Sequence, residues 1–280
     1  MATSPTFLFH GLALGFGATF RRPFQASIPS QASAVVSIGG GYASDRVGPS
    51  SFINGVSFEE ASVEVSGGPD EEPGSFVTIA KATLRKLRIL DNAFFAEEMH
   101  CQLISRHGGS SGLEPNISAA GSYIRGLHIG GVEIRAGNML DLPDTDEAFR
   151  AKYASNKDFA QKIRETANWV PPKDVAREAI HPELVRFYEK CWAKGAPQPP
   201  TFNGRMIVGL FDSLNPATRN DQITVIGNTI TLKNVGRFHL GELLVERGNR
   251  RLSMLRFSLG SDTEGQGSGP HTGTNGSPYP

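Results

Sequence analysis

Glu98-Met99-His100-Cys101-Gln102-Leu103, inside the longer run Phe94 to Ile104, alternates polar and apolar residues at every step. Successive side chains of a β-strand point to opposite faces. Met99, Cys101 and Leu103 therefore share one face, and Glu98, His100 and Gln102 share the other. Outward from this run, Phe58, Ser62-Val63-Glu64-Val65 and Thr78 to Ile89 are further short segments with polar residues interleaved. Gly39-Gly40-Gly41, Gly67-Gly68-Pro69, Gly108-Gly109 and Gly130-Gly131 supply turns between them. Strands at this spacing, without helices between them, predict a mainly β fold over about Phe7 to Leu140. The expected architecture is an antiparallel sandwich or barrel.

Leu142 to Gly195 changes period. Asp144-Thr145-Asp146-Glu147 follows Pro143 as a helix start, with Asp144 able to cap and Glu147 at the third helical position. Phe149 and Tyr153 follow one turn apart. Ser155 and Asp158 mark a second start, with Phe159 and Ile163 on its apolar face. Pro182 opens a third, in which Leu184, Tyr188, Cys191 and Trp192 form one stripe that Gly195 ends. This three-helix insertion, 142–195, is expected to pack on one face or end of the β structure. Strand patterns return at Arg205 to Phe211, Gln222 to Ile226, Thr229 to Leu232, Phe238 to Val245 and Leu252 to Leu259. Residues 261–280 hold five glycines and no Ile, Leu, Val, Met or Phe. So little apolar surface does not offset ordering entropy, so the expectation is a single β-rich domain over 1–260 and a disordered tail over 261–280.

Composition narrows the function classes. With 39% hydrophobic and 20% charged residues the chain is globular, which excludes collagen-like, wholly disordered and membrane-embedded classes. The 28 basic and 28 acidic side chains balance and form no block, so nucleic acid is not expected as the main partner. Phe7 to Phe20 is apolar but interrupted by His10, Gly11, Gly15 and Gly17. It is shorter than the about 20 residues of a membrane-spanning helix and lacks a positive segment before it, so it reads as a strand. No membrane span is expected, and the expected location is cytoplasmic. Cys101 and Cys191 cannot build a disulfide framework, and Cys101 packs as a small hydrophobe beside Met99 and Leu103.

Templates for phosphate loops, nucleophile elbows, metalloprotease helices and calcium loops are missing, and the seven histidines are scattered, so no cofactor or metal site is implied. One local feature stands out, Gly236-Arg237-Phe238-His239-Leu240-Gly241-Glu242-Leu243-Leu244-Val245-Glu246. Phe238 and Leu240 share one parity, and Leu243 and Val245 share the opposite one. A β-bulge at Gly241 would restore a single buried face and gather Arg237, His239, Glu242 and Glu246 on the polar side. His239 and Glu242 then become the candidate base and carboxylate of a cofactor-independent hydrolase or isomerase. An ordinary charged outer face explains the same residues. Arg247, Arg250 and Arg251, with Arg256 nearby, are candidate contacts for an anion or a partner, or else a solvated hairpin tip.

Arg22-Pro23-Phe24-Gln25, then Pro29-Ser30-Gln31-Ala32-Ser33 and the glycine triplet, resemble the start of an uncharacterised family of bacterial hypothetical proteins. Gly236 to Val245 and Arg251 to Gly260 are similar to that family's closing hairpin, and the resemblance covers most of residues 20 to 260. It implies a bacterial, unexported protein and carries no activity. Without a nucleophile, metal or phosphate signature, the leading expectation is a non-enzymatic, β-rich binding or self-assembling structural protein. It would act as a homo-oligomer or with a protein partner, its uncharged N-terminus packing on a neighbour. The alternatives are the His239/Glu242 enzyme and a small-molecule carrier with its ligand inside a β-barrel.

Overall fold

The run Phe94 to Ile104 lies within one long strand in a computed structural model, which describes residues 6–53, 55–90, 93–108, 114–166, 206–246, 248–260 and 263–279. In chain order the strands begin with β1 (Thr6–Arg22), β2 (Ala26–Val35), β3 (Gly41–Val47), β4 (Ser50–Phe52), β5 (Val56–Phe58) and β6 (Glu60–Pro69). There follow β7 (Phe76–Ile89), β8 (Phe94–His107), β9 (Asn116–Ser118), β10 (Tyr123–Arg125), β11 (His128–Ile129) and β12 (Val132–Ala136). Two helices, α1 (Asp146–Ser155) and α2 (Lys157–Thr166), precede β13 (Met206–Gly209), β14 (Leu214–Pro216), β15 (Ile223–Ile226) and β16 (Thr229–Leu232). The chain closes with β17 (Gly236–Glu246), β18 (Asn249–Gly260), β19 (Glu264–Ser268) and β20 (His271–Tyr279).

The fold is mainly β and antiparallel. One sheet runs β15-β16-β17-β18-β19-β1-β2, with β13 on β17 and β20 between β18 and β1. The other runs β14-β12-β11-β8-β7-β5-β4, with β9 and β10 on β8, and with β6 carrying β3 onto β7. The sheets face each other. Phe7 stacks on Phe76 with ring centroids 4.5 Å apart, Phe94 lies 5.3 Å from Phe238, and Phe16 lies 6.3 Å from Phe58. One cluster of buried residues spans both. The expectation left open a sandwich or a barrel; among the described residues the strands form two separate sheets, and no ladder joins them.

Two helices of the expected insertion are present, and the third, at Pro182 to Gly195, lies outside the described residues, as does Cys191. The first is capped one residue later than expected. The Asp144 carbonyl accepts the Ile117 N–H at 2.9 Å, which holds Asp144 to the sheet. Thr145 becomes the cap, extended at φ −113°, ψ 156°, its hydroxyl accepting the Ala148 N–H at 3.1 Å. Phe149, Tyr153, Phe159 and Ile163 are buried as their spacing requires, and Phe149 meets Phe159 edge to face.

The face change in β17 is real but not local. Gly241 takes φ +60°, a conformation glycine adopts without a Cβ penalty. Register with β18 nevertheless does not slip, because Leu240 lies opposite Leu255 and Glu242 opposite Ser253. Strand β18 changes face at the same rung, where Met254 and Leu255 are both fully buried. The lane beyond it breaks between β19 and β20 at Gly269-Pro270, and β1 buries Phe9 and Ala13 before the line but Phe16, Ala18 and Phe20 after it. The facing sheet repeats the device at Lys86 and Glu97. There Arg85 lies opposite Glu98 and Leu87 opposite Ala96, while the buried residues shift from Leu84 to Leu87 and from Ala96 to Met99. A bulge in one strand offsets its neighbours. A matched extra residue in each neighbour keeps the ladder aligned.

The tail is the main correction. Within the expected disordered tail, Glu264–Ser268 and His271–Tyr279 are strands, because β19 and β20 fill the lane between β18 and β1 and pair with both. A Cβ on Gly267 would come within 2.6 Å of the Phe257 ring, and one on Gly265 within 2.6 Å of the Phe20 ring. These glycines are seats for rings carried by other strands. Thr272 and Thr274 are buried, and the Thr272 hydroxyl lies 3.1 Å from the Cys101 sulfur. The apolar surface that orders the segment belongs to its neighbours, so the segment's own composition concealed it.

Two consequences are measurable by thermal melting. Gly267→Val forces the Phe257 ring out of its seat and should cost about 1–3 kcal/mol, as overpacking does. Ending the chain at Gly260 removes the lane between β18 and β1 and should abolish cooperative unfolding. A truncated chain that melts like the full one would show the segment to be dispensable.

Candidate functional site

The outer face of β17 and β18 brings the two predicted catalytic residues together. Ladder pairing sets Thr229 opposite His239 and His239 opposite Arg256. His239 Nδ1 lies 2.7 Å from Thr229 Oγ1 and 3.8 Å from Glu242 Oε1, and both side chains of the expected pair are nearly buried. The Glu242 carboxylate accepts two hydrogen bonds from Arg256, from Nε and Nη2, each at 2.8 Å. Burial pushes His239 down to about 4, with Arg256 and Arg237 adding to the fall and Glu242 opposing it, so the imidazole is neutral at pH 7. In a nucleophile–base–carboxylate relay the hydroxyl and the carboxylate bind opposite ring nitrogens. Here Thr229 and Glu242 face the same one. Thr229 could not be paired with His239 from sequence, because the pairing depends on the register of the β16–β17 hairpin.

The three arginines proposed as anion contacts separate. Arg247 lies outside the described residues. Arg250 is 2% exposed, and its Nη2 donates to the Pro143 carbonyl. Burial lowers its pKa to about 10, and Asp144, Glu114 and Asp146 oppose that shift. Glu114 also accepts the N–H groups of Asp146 at 2.8 Å and Gly248 at 3.3 Å. The expected surface contact at Arg250 is therefore a buried strut between β18 and the start of α1, because its parity turns it inward.

Arg251 is the next residue and so points outward. It stands on a rung that crosses four strands, with Val35 opposite Leu12, Leu12 opposite Gly273, and Gly273 opposite Arg251. A Cβ at Gly273 would lie 3.5 Å from both Leu12 and Arg251, so its absence opens a hollow between them. The result is a cleft of about 300 Å³ whose walls include Leu12, Val35, Ile38, His10, Asn249 and Arg251. Val35 is 66% and Ile38 63% exposed, and among the described residues no carboxylate pairs with Arg251. Sequence reading passed over these apolar residues. Ala34-Val35-Val36 carried the signal, since a strand with three consecutive apolar residues must turn one of them outward.

Among the described residues no cluster of His, Cys, Asp and Glu could hold a metal ion, and no helix is long and apolar enough to cross a membrane. The chain belongs to the family described as "Domain of unknown function (DUF8256)", whose model matches residues 7–246. This agrees with the resemblance to an uncharacterised family. No curated protein and no solved structure matches the chain. The matched span includes His239 and Glu242, whereas Arg251 and Gly273 lie beyond it.

Three imidazoles, His107 buried and His239 and His271 partly so, give the molecule a pH signature. Burial lowers His107, His239 and His271 each to about 4, with Arg251 also acting on His271. Above pH 6.5 these groups are neutral folded or unfolded and contribute no slope. Between about 6.5 and 4 the unfolded chain binds protons that the folded one refuses, so stability falls as pH falls, by about 1.4 kcal/mol per pH unit for each group. Urea midpoints measured from pH 8 to 4 should hold steady and then decline below 6.5. His239→Gln should make that decline shallower, and an unchanged slope would contradict the assignment for His239.

Proposed function

We propose that this chain is a non-enzymatic binding protein that works through the cleft over Gly273 and takes partners joining an anionic group to an apolar portion. The observation that carries this reading is the single rung on which exposed Val35, Leu12, the hollow at Gly273 and Arg251, which no carboxylate among the described residues pairs, follow one another. A guanidinium in a recess interacts with an anion more strongly than one in open water, because the surroundings lower the effective dielectric. Covering the exposed faces of Val35 and Ile38 contributes about 25 cal/mol per Å² of apolar surface removed from water. Concave sites with apolar walls and a few convergent polar groups are the usual form of ligand sites.

Self-assembly through strand edges has less support. Strand β2 carries Pro29, and the Ser33 N–H donates to Asp45 Oδ2 at 3.0 Å, so part of its edge is already occupied. The enzyme alternative is weakened by the shared nitrogen of His239. A carrier with its ligand between the sheets is weakened by the aromatic rings that meet there. A cytoplasmic setting belongs to the same proposal, supported by buried, unpaired Cys101, whose thiol burial pushes up to about 12.

Anilinonaphthalene sulfonate unites an anion with apolar rings and serves as the probe. Its fluorescence titration should saturate at one site, and Arg251→Ala should weaken binding about tenfold, the scale of one charge-assisted hydrogen bond. Val35→Asp should weaken it further. Absence of saturable binding, or equal affinity in wild type and both variants, would end this reading.

A further inference from the structure

The rung that carries Arg251 continues past it, because Leu244 of β17 lies opposite Arg251. The outward order is therefore Val35, Leu12, Gly273, Arg251 and Leu244, with aliphatic side chains on both sides of one guanidinium. The rungs that border it are different. One carries Ser33, Leu14, His271, Ser253 and Glu242, and the other carries His10, Asn249 and Glu246. Leu14 apart, these residues are polar, and most are partnered among themselves. His271 Nδ1 lies 2.7 Å from Ser253 Oγ, Asn249 Nδ2 donates to Glu246 Oε2 at 2.9 Å, and Arg256 donates to both oxygens of Glu242. A narrow apolar rung thus runs between two polar ones.

We infer, resting on the binding role proposed above, that the cleft takes a linear aliphatic monocarboxylate. Its carboxylate would sit on Arg251, and its chain would cross the hollow at Gly273 toward Leu12, Val35 and Ile38. Three observations select that class. The first is width. A Cβ placed on Gly273 would lie 3.5 Å from Leu12 Cγ and 3.5 Å from Arg251 Cγ. Carbon atoms attract best at about 3.5–4.0 Å, so the slot holds one methylene in contact with both walls and is too narrow for a ring system. The second is the chemistry of the walls. Leu12, Val35 and Ile38 are aliphatic, and the one ring among the lining residues, Phe9, is buried in the core, so a flat aromatic ligand finds no exposed face to stack on. The third is charge. Arg251 is the one arginine or lysine among the lining residues, while Glu242 and Glu246 stand on the two bordering rungs. A dianion would meet one cation and two carboxylates. A carboxylate matches the single charge and accepts two parallel hydrogen bonds from the planar guanidinium.

Isothermal titration calorimetry of the full chain tests this with hexanoate, octanoate, decanoate and dodecanoate, each kept below its micelle-forming concentration. Affinity should rise about two- to fourfold for each added CH2. The rise should stop near about ten carbons, because a cleft of about 300 Å³ has room for about ten groups of about 30 Å³ each. Decanol, decyl phosphate and adamantane carboxylate should each bind at least about tenfold more weakly than decanoate, since they change the charge or the width. Gly273→Ala places a methyl group in the slot at ordinary contact distance, so it should cost decanoate at least about tenfold in affinity while the melting temperature holds. If that variant melts lower, Arg251→Ala decides: it should weaken decanoate and leave decanol unchanged. Affinity that ignores chain length, decanol or adamantane carboxylate binding as well as decanoate, or full affinity in Gly273→Ala would overturn the assignment. Anilinonaphthalene sulfonate titrated into the same samples separates the two failures. If that probe saturates and depends on Arg251 while no alkanoate binds, the carboxylate assignment falls and the binding role stands; if neither binds, both fall.

Discussion

Each long strand here must keep one face in the core along its whole length while changing which parity of residue supplies that face. A pleated strand has a strict period of two, so the change requires an added residue, and an added residue in one strand alone displaces every ladder beyond it. The structure meets the constraint by making the change at the same rung in adjacent strands. In β17 it falls at Gly241, in β18 at Met254 and Leu255, and in β1 between Ala13 and Phe16. Pairing from β17 through β18 and the β19/β20 lane to β1 then stays in register across the line, whereas β1 and β2 slip by one residue between Phe16 and Ala18. The strands flanking β17 and β18 are divided at that line too, β16 from β13 and β19 from β20. Short strands on the flanks are thus a consequence of the switch in the long ones.

The switch also sets what the solvent meets. On one side of the line β1 and β18 turn Leu12 and Arg251 outward, and on the other they turn Thr19, Arg256 and Ser258 outward. A recess walled by Leu12, Val35 and Arg251 and another walled by Thr19, Arg256 and Ser258 can therefore share one sheet. Parity likewise explains why Arg250 and Arg251, neighbours in sequence, differ so much. Arg250 faces inward and needs Glu114, Asp144 and Asp146 around it, because a buried guanidinium is costly without nearby carboxylates. Arg251 faces out, and among the described residues no carboxylate pairs with it.

Much of the fold was legible from alternation alone. Met99, Cys101 and Leu103 are fully buried, Phe238, Leu240, Leu243 and Val245 share the core, and Phe149, Tyr153, Phe159 and Ile163 close the helical region. What was not legible depended on space supplied by distant strands. Gly265, Gly267 and Gly269 recur with the period of a strand, yet a glycine shows its value in a strand only when the ring that needs its vacancy is known. A composition argument weighs a segment's own side chains, so a strand made of seats for other residues' rings looks like a tail. The helix cap moved by one residue for a similar reason, since the Ile117 N–H, far away in sequence, claims the Asp144 carbonyl.

The same limit governs the candidate sites. His239 and Glu242 are three residues apart, so their proximity followed from one strand's pattern. Their chemistry did not, because it turns on which ring nitrogen Thr229 occupies and on how Arg256 spends the carboxylate, and both partners come from other strands. The cleft over Gly273 is further from sequence still. Val35, Leu12, Gly273 and Arg251 are brought onto one rung only after the last strand, β20, is inserted between β18 and β1. A segment with almost no apolar content of its own thus completes both the core and the surface that carries the proposed cleft. The residues that finish the fold and those that finish the site are therefore the same, and a substitution that unseats β20 acts on stability and binding together.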